Sequence, residues 1–209
     1  MTESRPPART YDLHPSVAYV QTIIGNLKAG TGRSLEQWSD LVRQERPADP
    51  KAWLKAQGLG ATQTGLVLRR ALAKPSHAFA DTPEGYLAAA PGYVDGQYGG
   101  KKAALRPFFD RLVDLARGLG FDVRVCPCET IVPFYRHHVF AEVKPFASRL
   151  DLGLALSDPA LVKEPDGQLK DTGGFKKKDR ITHKVEITCE ADLELALVWL
   201  RRAYERDKA

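Results

Sequence analysis

Apolar residues change their period along this chain. Up to about residue 74 they recur every three or four positions, and beyond residue 121 they fall on nearly every second one. Val17, Val20, Ile24 and Leu27 predict a helix from Pro15 to about Lys28, stopped by Gly30 and Gly32. Ser34 opens a second helix with Gln37 as its capping-box partner, and Leu35, Trp38, Leu41 and Val42 supply its buried stripe. Asp49 and Pro50 mark a third start, because the missing proline N–H costs nothing in a first turn. Trp53 and Ala56 face inward there, Gly58-Leu59-Gly60 makes a turn, and a fourth helix runs from about Ala61 to Lys74.

Residues 75–99 contain Pro75, Pro83, Pro91 and several glycines and read as a linker, with a short helix around Glu84–Ala90 inside it. The pattern Leu105, Phe108, Phe109, Leu112, Ala116 and Leu119 then predicts a strong helix. Pro107 requires that helix to start late or to kink near Ala103. Strand-like segments follow as DVRVC, TIVPFYR, VFAEVKPF and RLDLGLAL, with ITHKVEI after a long polar loop at 157–179. The links between them are short, so neighbouring strands pair antiparallel. A last helix from about Glu190 to Arg206 turns Leu193, Leu197, Leu200 and Tyr204 inward, with acids in its first turn and arginines in its last.

The fold class is therefore α+β: a small N-terminal helical bundle (14–74), a linker (75–99) and an α+β domain (100–207). In that domain an antiparallel sheet of four or five strands is backed by two helices.

Several of these segments resemble a known family arrangement. GRSLEQWSDLV followed by AWLKAQGLG is similar to a short helical module of the SLEEW and WLK type, found in bacterial proteins. QYGGKKAALRPFFD, RLDLGLAL, ITHKVEI and VWLRRAYE resemble the domain of unknown function that often follows it. Some relatives of that domain are labelled predicted transport proteins. The resemblance spans residues 14–206 and implies the fold; it brings no catalytic residues.

Charge and composition narrow the chemistry only a little. Lysine and arginine total 31 against 26 acids, a net charge of +5 that allows an anionic partner without requiring one. The opening MTESRPPART is polar, and no apolar run approaches the length that spans a bilayer. Three cysteines, an odd number, fit a reducing cytoplasm better than a disulfide framework.

Four features invite a functional reading. Gly58-Leu59-Gly60 is the glycine–hydrophobic–glycine turn with which helix-hairpin-helix proteins bring backbone N–H groups to a phosphate. Lys55 precedes it, and Arg69 and Arg70 lie on the helix that follows. The alternative is a tight corner, with Gly58 as a left-handed cap and Gly60 admitting close helix packing. Cys126 and Cys128, with His137 and His138 nearby, lack the spacing of a zinc site and read as half-buried apolar residues.

His183 shares strand parity with Ile181, Val185 and Ile187 and points toward the helices, as a core histidine or a ligand group. On the opposite face, Arg149, Asp151, Lys184 and Glu186, with Glu142 and Lys144, form either a solvated ion-paired surface or a recognition surface. The lysines at 176–178 make the 157–179 loop an expected site of early trypsin cleavage.

Walker, Rossmann, nucleophile-elbow and HExxH motifs are absent from the sequence. The expectation is a non-enzymatic cytoplasmic binding protein with no cofactor, metal or membrane. Its partner is nucleic acid held through the helix-turn-helix corner, or a small anionic ligand held by Arg149, His183 and Lys184. The alternative is a small-molecule-binding α+β domain or a protein-interaction module, and the oligomeric state is left open.

Overall fold

The computed structural model describes residues 11–72, 81–156, 169–174 and 179–208. The chain divides into one compact unit of His14–Ala89 and another of Ala90–Ala209 together with Met1–Leu13.

The first unit is helical: α1 (Pro15–Thr31), α2 (Leu35–Glu45), α3 (Pro50–Ala56) and α4 (Ala61–Leu72). Its starts are those the caps dictate. Ser34 accepts the Gln37 N–H at 3.2 Å, while the Gln37 side chain accepts the Ser34 N–H at 2.8 Å. Asp49 accepts from Ala52 N–H at 2.9 Å, and Gly32 ends α1 at φ 73°. Leu27, Leu35, Trp38, Val42, Leu54, Leu59, Leu66 and Val67 form the core. Ser39 Oγ approaches Val67 O at 3.4 Å and Arg43 Nη1 donates to Arg70 O at 3.3 Å. Helices α2 and α4 thus pack against each other.

The expected linker is mostly helix. Pro83–Gln97 forms α5, twice the length of the short helix expected at Glu84–Ala90. Thr82 Oγ1 caps its start by accepting Gly85 N–H at 3.0 Å, and Pro83 takes the first turn. Tyr86, Ala90, Val94 and Tyr98 are buried at a spacing of four, which outweighs Pro91 within the helix. The prolines punctuate this segment less than their number suggests.

In the second unit a 3-10 turn (Gly100–Leu105) leads into α6 (Arg106–Arg117), with Pro107 inside the first turn. The late start is the one adopted. Strands β1 (Arg124–Val125), β2 (Val132–Tyr135), β3 (Val139–Pro145), β4 (Leu150–Leu154), β5 (Leu169–Asp171) and β6 (His183–Ile187) precede α7 (Ala191–Arg206). All pairings are antiparallel, in the order β1-β2-β3-β4-β6-β5. Helix α7 lies on β3, β4 and β6, and α6 packs against α7.

The sheet thus has six strands among the described residues, against the four or five expected. The additional strand, β5, comes from within the loop expected at 157–179: Leu169 pairs with Val185 and Asp171 with His183. Its three residues are too few to show alternation. Residues 157–168 and 175–178 lie outside the described residues, and with them the cleavage expected at the lysines. No helix among the described residues is long and apolar enough to cross a membrane.

Candidate anion-binding sites

The Gly58-Leu59-Gly60 turn is held by its own backbone. Gly58 sits at φ 89°, where a side chain would be strained. Its N–H donates to Lys55 O at 2.9 Å, and Leu59 N–H donates to Leu54 O at 3.2 Å. This geometry drops Leu59 into the core, where it is buried. Gly60 N–H donates to Gln63 Oε1 at 3.0 Å, so all three backbone donors of the turn already have partners.

Gly60 does not serve close packing. A Cβ there would meet only Gln63 Oε1, at an ordinary 3.7 Å. Arg69 and Arg70 lie at the far end of α4, nine and ten residues beyond Gly60, or roughly 14 Å along the axis. Arg70 pairs with Asp81 at 2.5 Å. Lys55, Gly58 and Gly60 therefore share one end of α4, and Arg69 and Arg70 share the other.

The face of the sheet away from α7 does gather charge. Strand parity and register place Lys144, Asp151 and Glu186 in one row, and Glu142, Gly153, Lys184 and Lys170 in the next. Asp151 accepts from Arg149 Nε at 2.7 Å and from Lys184 Nζ at 2.6 Å. Glu186 accepts from Lys170 at 2.5 Å and Lys184 at 3.0 Å, with Arg149 at 3.6 Å. The hydrogen bonds from Lys170 and then Lys184 pull the Glu186 carboxyl down to about 2. The hydrogen bond to Asp151 raises the Lys184 ammonium in turn. Burial, with Asp179 nearby, pushes the Glu142 carboxyl up.

At the β3–β4 turn this row ends on an exposed aromatic ring. Phe146 is 37% exposed. Lys144 Nζ lies 5.6 Å and the Arg149 guanidinium 4.9 Å from its centroid. Lys102 Nζ donates to Pro145 O at 3.1 Å beside the same turn.

Of the ligand set expected on the α+β domain, Arg149 and Lys184 are brought together and His183 is not. His183 faces the helix side and is buried, its Nδ1 3.0 Å from Thr182 Oγ1. Burial lowers its pKa, partly opposed by Asp171 across the β5–β6 ladder. Lys170 and Asp171 carry no strand signal in the sequence, because three residues within a polar, turn-rich segment show no alternation.

A second polar cluster lies at the C-terminal end of α7. Arg136 donates to Asp122 at 2.8 Å, Tyr204 hydroxyl donates to Asp122 at 2.8 Å, and buried Asp207 accepts from Arg180 at 2.5 Å. Its members are scattered over residues 122–207, and no local motif announces them.

Cys126 is buried and Cys128 half-buried. Burial pushes the Cys126 thiol up to about 12 and raises Cys128 as well. Among the described residues, no three His, Cys, Asp or Glu side chains are grouped as metal ligands would be.

No curated protein and no solved structure gives a significant match to this chain. The model of one family, described as "Domain of unknown function (DUF5655)", matches residues 94–207, which takes in α6, all six strands and α7. That match covers more than half of the chain, and the protein belongs to the DUF5655 family.

Proposed function

We propose that this is a non-enzymatic binding protein whose partner is single-stranded nucleic acid, held on the outer face of the sheet beside the β3–β4 turn. The observation that carries the reading is Phe146, an exposed ring with a lysine and an arginine both against it. An unpaired base stacks on such a ring whatever its identity, and adjacent cations meet the phosphates on either side. Lys184 of β6 and Lys170 of β5 add two further cations to this face, in the neighbouring row. Asp151 and Glu186 hold Arg149 and Lys184 in position, so these two cations are ordered before any ligand arrives.

The helical corner plays no part in this reading, because its glycines and arginines do not converge. Its likeness to the bacterial helical module rests on the sequence motifs alone, and the transport label of some relatives is not carried over. Three free cysteines fit a reducing compartment such as the cytoplasm.

Fluorescence anisotropy with a labelled oligothymidylate tests the reading. Phe146→Ala removes a stacking platform and should weaken binding about tenfold, within the range for one stacked base, while leaving the melting temperature nearly unchanged. Equal binding by the variant, or tighter binding of duplex than of single strand, would sink it.

A further inference from the structure

The central strand of the sheet is bare at one point, and a neighbouring segment plugs it. A Cβ on Gly153 of β4 would stand 2.8 Å from Ile181 Cγ2 and 3.0 Å from Glu142 Cγ. The register places Glu142 of β3 on one side of Gly153 and Lys184 of β6 on the other. The outer face thus carries a slot with a backbone floor between Glu142 and the stem of Lys184, filled by an isoleucine. Strand parity groups Ile181 with His183 on the helix side, but β6 begins only at His183, and Ile181 lies on the opposite face.

Ile181 is held there from the C-terminal end of the chain. One residue past α7, the Asp207 side chain is only 1% exposed. Its carboxylate accepts from Arg180 Nη2 at 2.5 Å and from His138 N–H at 2.8 Å, and lies 3.0 Å from His138 Nδ1. Arg180 Nε also donates to Val139 O at 2.8 Å. Arg136 Nη1 fixes the other side of this junction through Tyr204 O at 3.2 Å and Asp207 O at 3.4 Å. Arg180 directly precedes Ile181, so the grip on Arg180 fixes the chain on one side of Ile181, while the Thr182 N–H bond to Leu154 O at 3.0 Å fixes it on the other. Thr172 Oγ1 adds a bond to Ile181 O at 2.9 Å.

We infer that Asp207 and Arg180 form an autoinhibitory clasp that keeps Ile181 in the Gly153 slot and so restrains ligand binding on the outer face. The inference rests on the single-strand reading above for what enters the slot. A flat ring lying on the glycine floor would have an acceptor at Glu142 and the one ammonium proton of Lys184 not directed at Asp151 or Glu186, a donor–acceptor pair that complements a base edge. The carboxylate is buried but Arg180 is 44% exposed, so the clasp can be opened from its solvent side without leaving a core cavity.

Arg180→Ala separates the clasp from simple electrostatics. Loss of a cation by itself weakens binding to a polyanion, whereas loss of the clasp strengthens it. Amide exchange at Ile181 and Thr182 should become at least tenfold faster in the variant, the signature of a local opening. Affinity for a labelled oligothymidylate should rise about threefold as the closed population shrinks.

Gly153→Ala serves as the companion, since it fills the slot while leaving Arg180 and Asp207 paired. It should loosen Ile181 without raising affinity. Unchanged exchange in Arg180→Ala would overturn the clasp. Faster exchange with unchanged or lower affinity would overturn the autoinhibition. If the parent and both variants fail to bind the oligonucleotide, the reading of the face falls and the autoinhibition with it, while the exchange rates still judge the clasp.

Discussion

Lys184 Nζ stands 2.6 Å from one oxygen of Asp151, and Arg149 Nε stands 2.7 Å from the other. One carboxylate, its side chain 11% exposed, therefore orders an arginine just before β4 and a lysine on β6. Asp151→Asn keeps the shape and removes the charge. It should destabilise the protein by about 2 kcal/mol, less than for a fully buried pair because Arg149 and Lys184 keep some water. Chemical denaturation of the two proteins measures this, and a difference under about 0.5 kcal/mol would put the pair among ordinary surface ion pairs.

Acid should attack the same network through Glu186. Its carboxyl is held at about 2 in the folded protein, against about 4.3 for an unperturbed glutamate. A depressed folded value means the unfolded chain binds the proton first. The stability Glu186 contributes is fully present above about pH 4.3 and drains away as pH falls toward 2. Glu186→Gln should flatten stability across that window. An acid limb of unchanged slope in the variant contradicts the assignment.

His183 acts at milder pH. Burial lowers its folded pKa, so protonation favours the unfolded chain, whose histidine titrates near 6.5. Stability linked to this residue is present above about pH 6.5 and is lost as pH falls below it. His183→Gln should remove that component. Melting temperatures measured between pH 7.5 and 5.5 should fall less steeply for the variant than for the parent.

The two glycines of the helical corner should behave differently. Gly58→Ala forces a side chain into a left-handed φ of 89° and should cost about 1–2 kcal/mol. Gly60→Ala meets only Gln63 Oε1 at 3.7 Å, and its loss of a favoured N-cap residue is offset by the reduced freedom of the unfolded chain, so the net cost should stay below about 0.5 kcal/mol. Thermal melts of both variants decide this, and equal losses would mean the turn is strained at both positions.

These residues also show what the chain discloses before it folds. Ser34 with Gln37, Asp49 with Pro50, and the alternation from Leu150 to Leu156 are local signals, and each element they predict is present. The stripe of α7 is less plain. Leu193 and Leu200 are buried as expected, but Ala196, Trp199 and Ala203 fill the rest of that face, and Leu197 and Tyr204 lie at its margin. Small residues on a helix carry little hydropathy, so the stripe reads rotated.

The candidate site was legible only within single strands. Parity puts Arg149 and Lys184 on one face and His183 on the other, so strand parity alone separates His183 from the expected ligand set. Lys170 joins them through a three-residue edge strand, and Asp207 meets Arg180 through the return of the whole C-terminal helix. Register and long-range closure decide those meetings, and neither is written in local spacing.

The salt dependence of oligothymidylate binding tests the central claim most directly. Each phosphate neutralised adds about 0.7 to the slope of log affinity against log salt for a single strand. The parent should bind with a slope of about −2 to −3, reflecting three or four cations beside Phe146 and across the face. Lys144→Ala should reduce that slope by about 0.7, and Phe146→Ala should weaken binding while leaving the slope unchanged. A parent that shows no salt-dependent binding, or a Lys144→Ala slope equal to the parent's, would contradict the account.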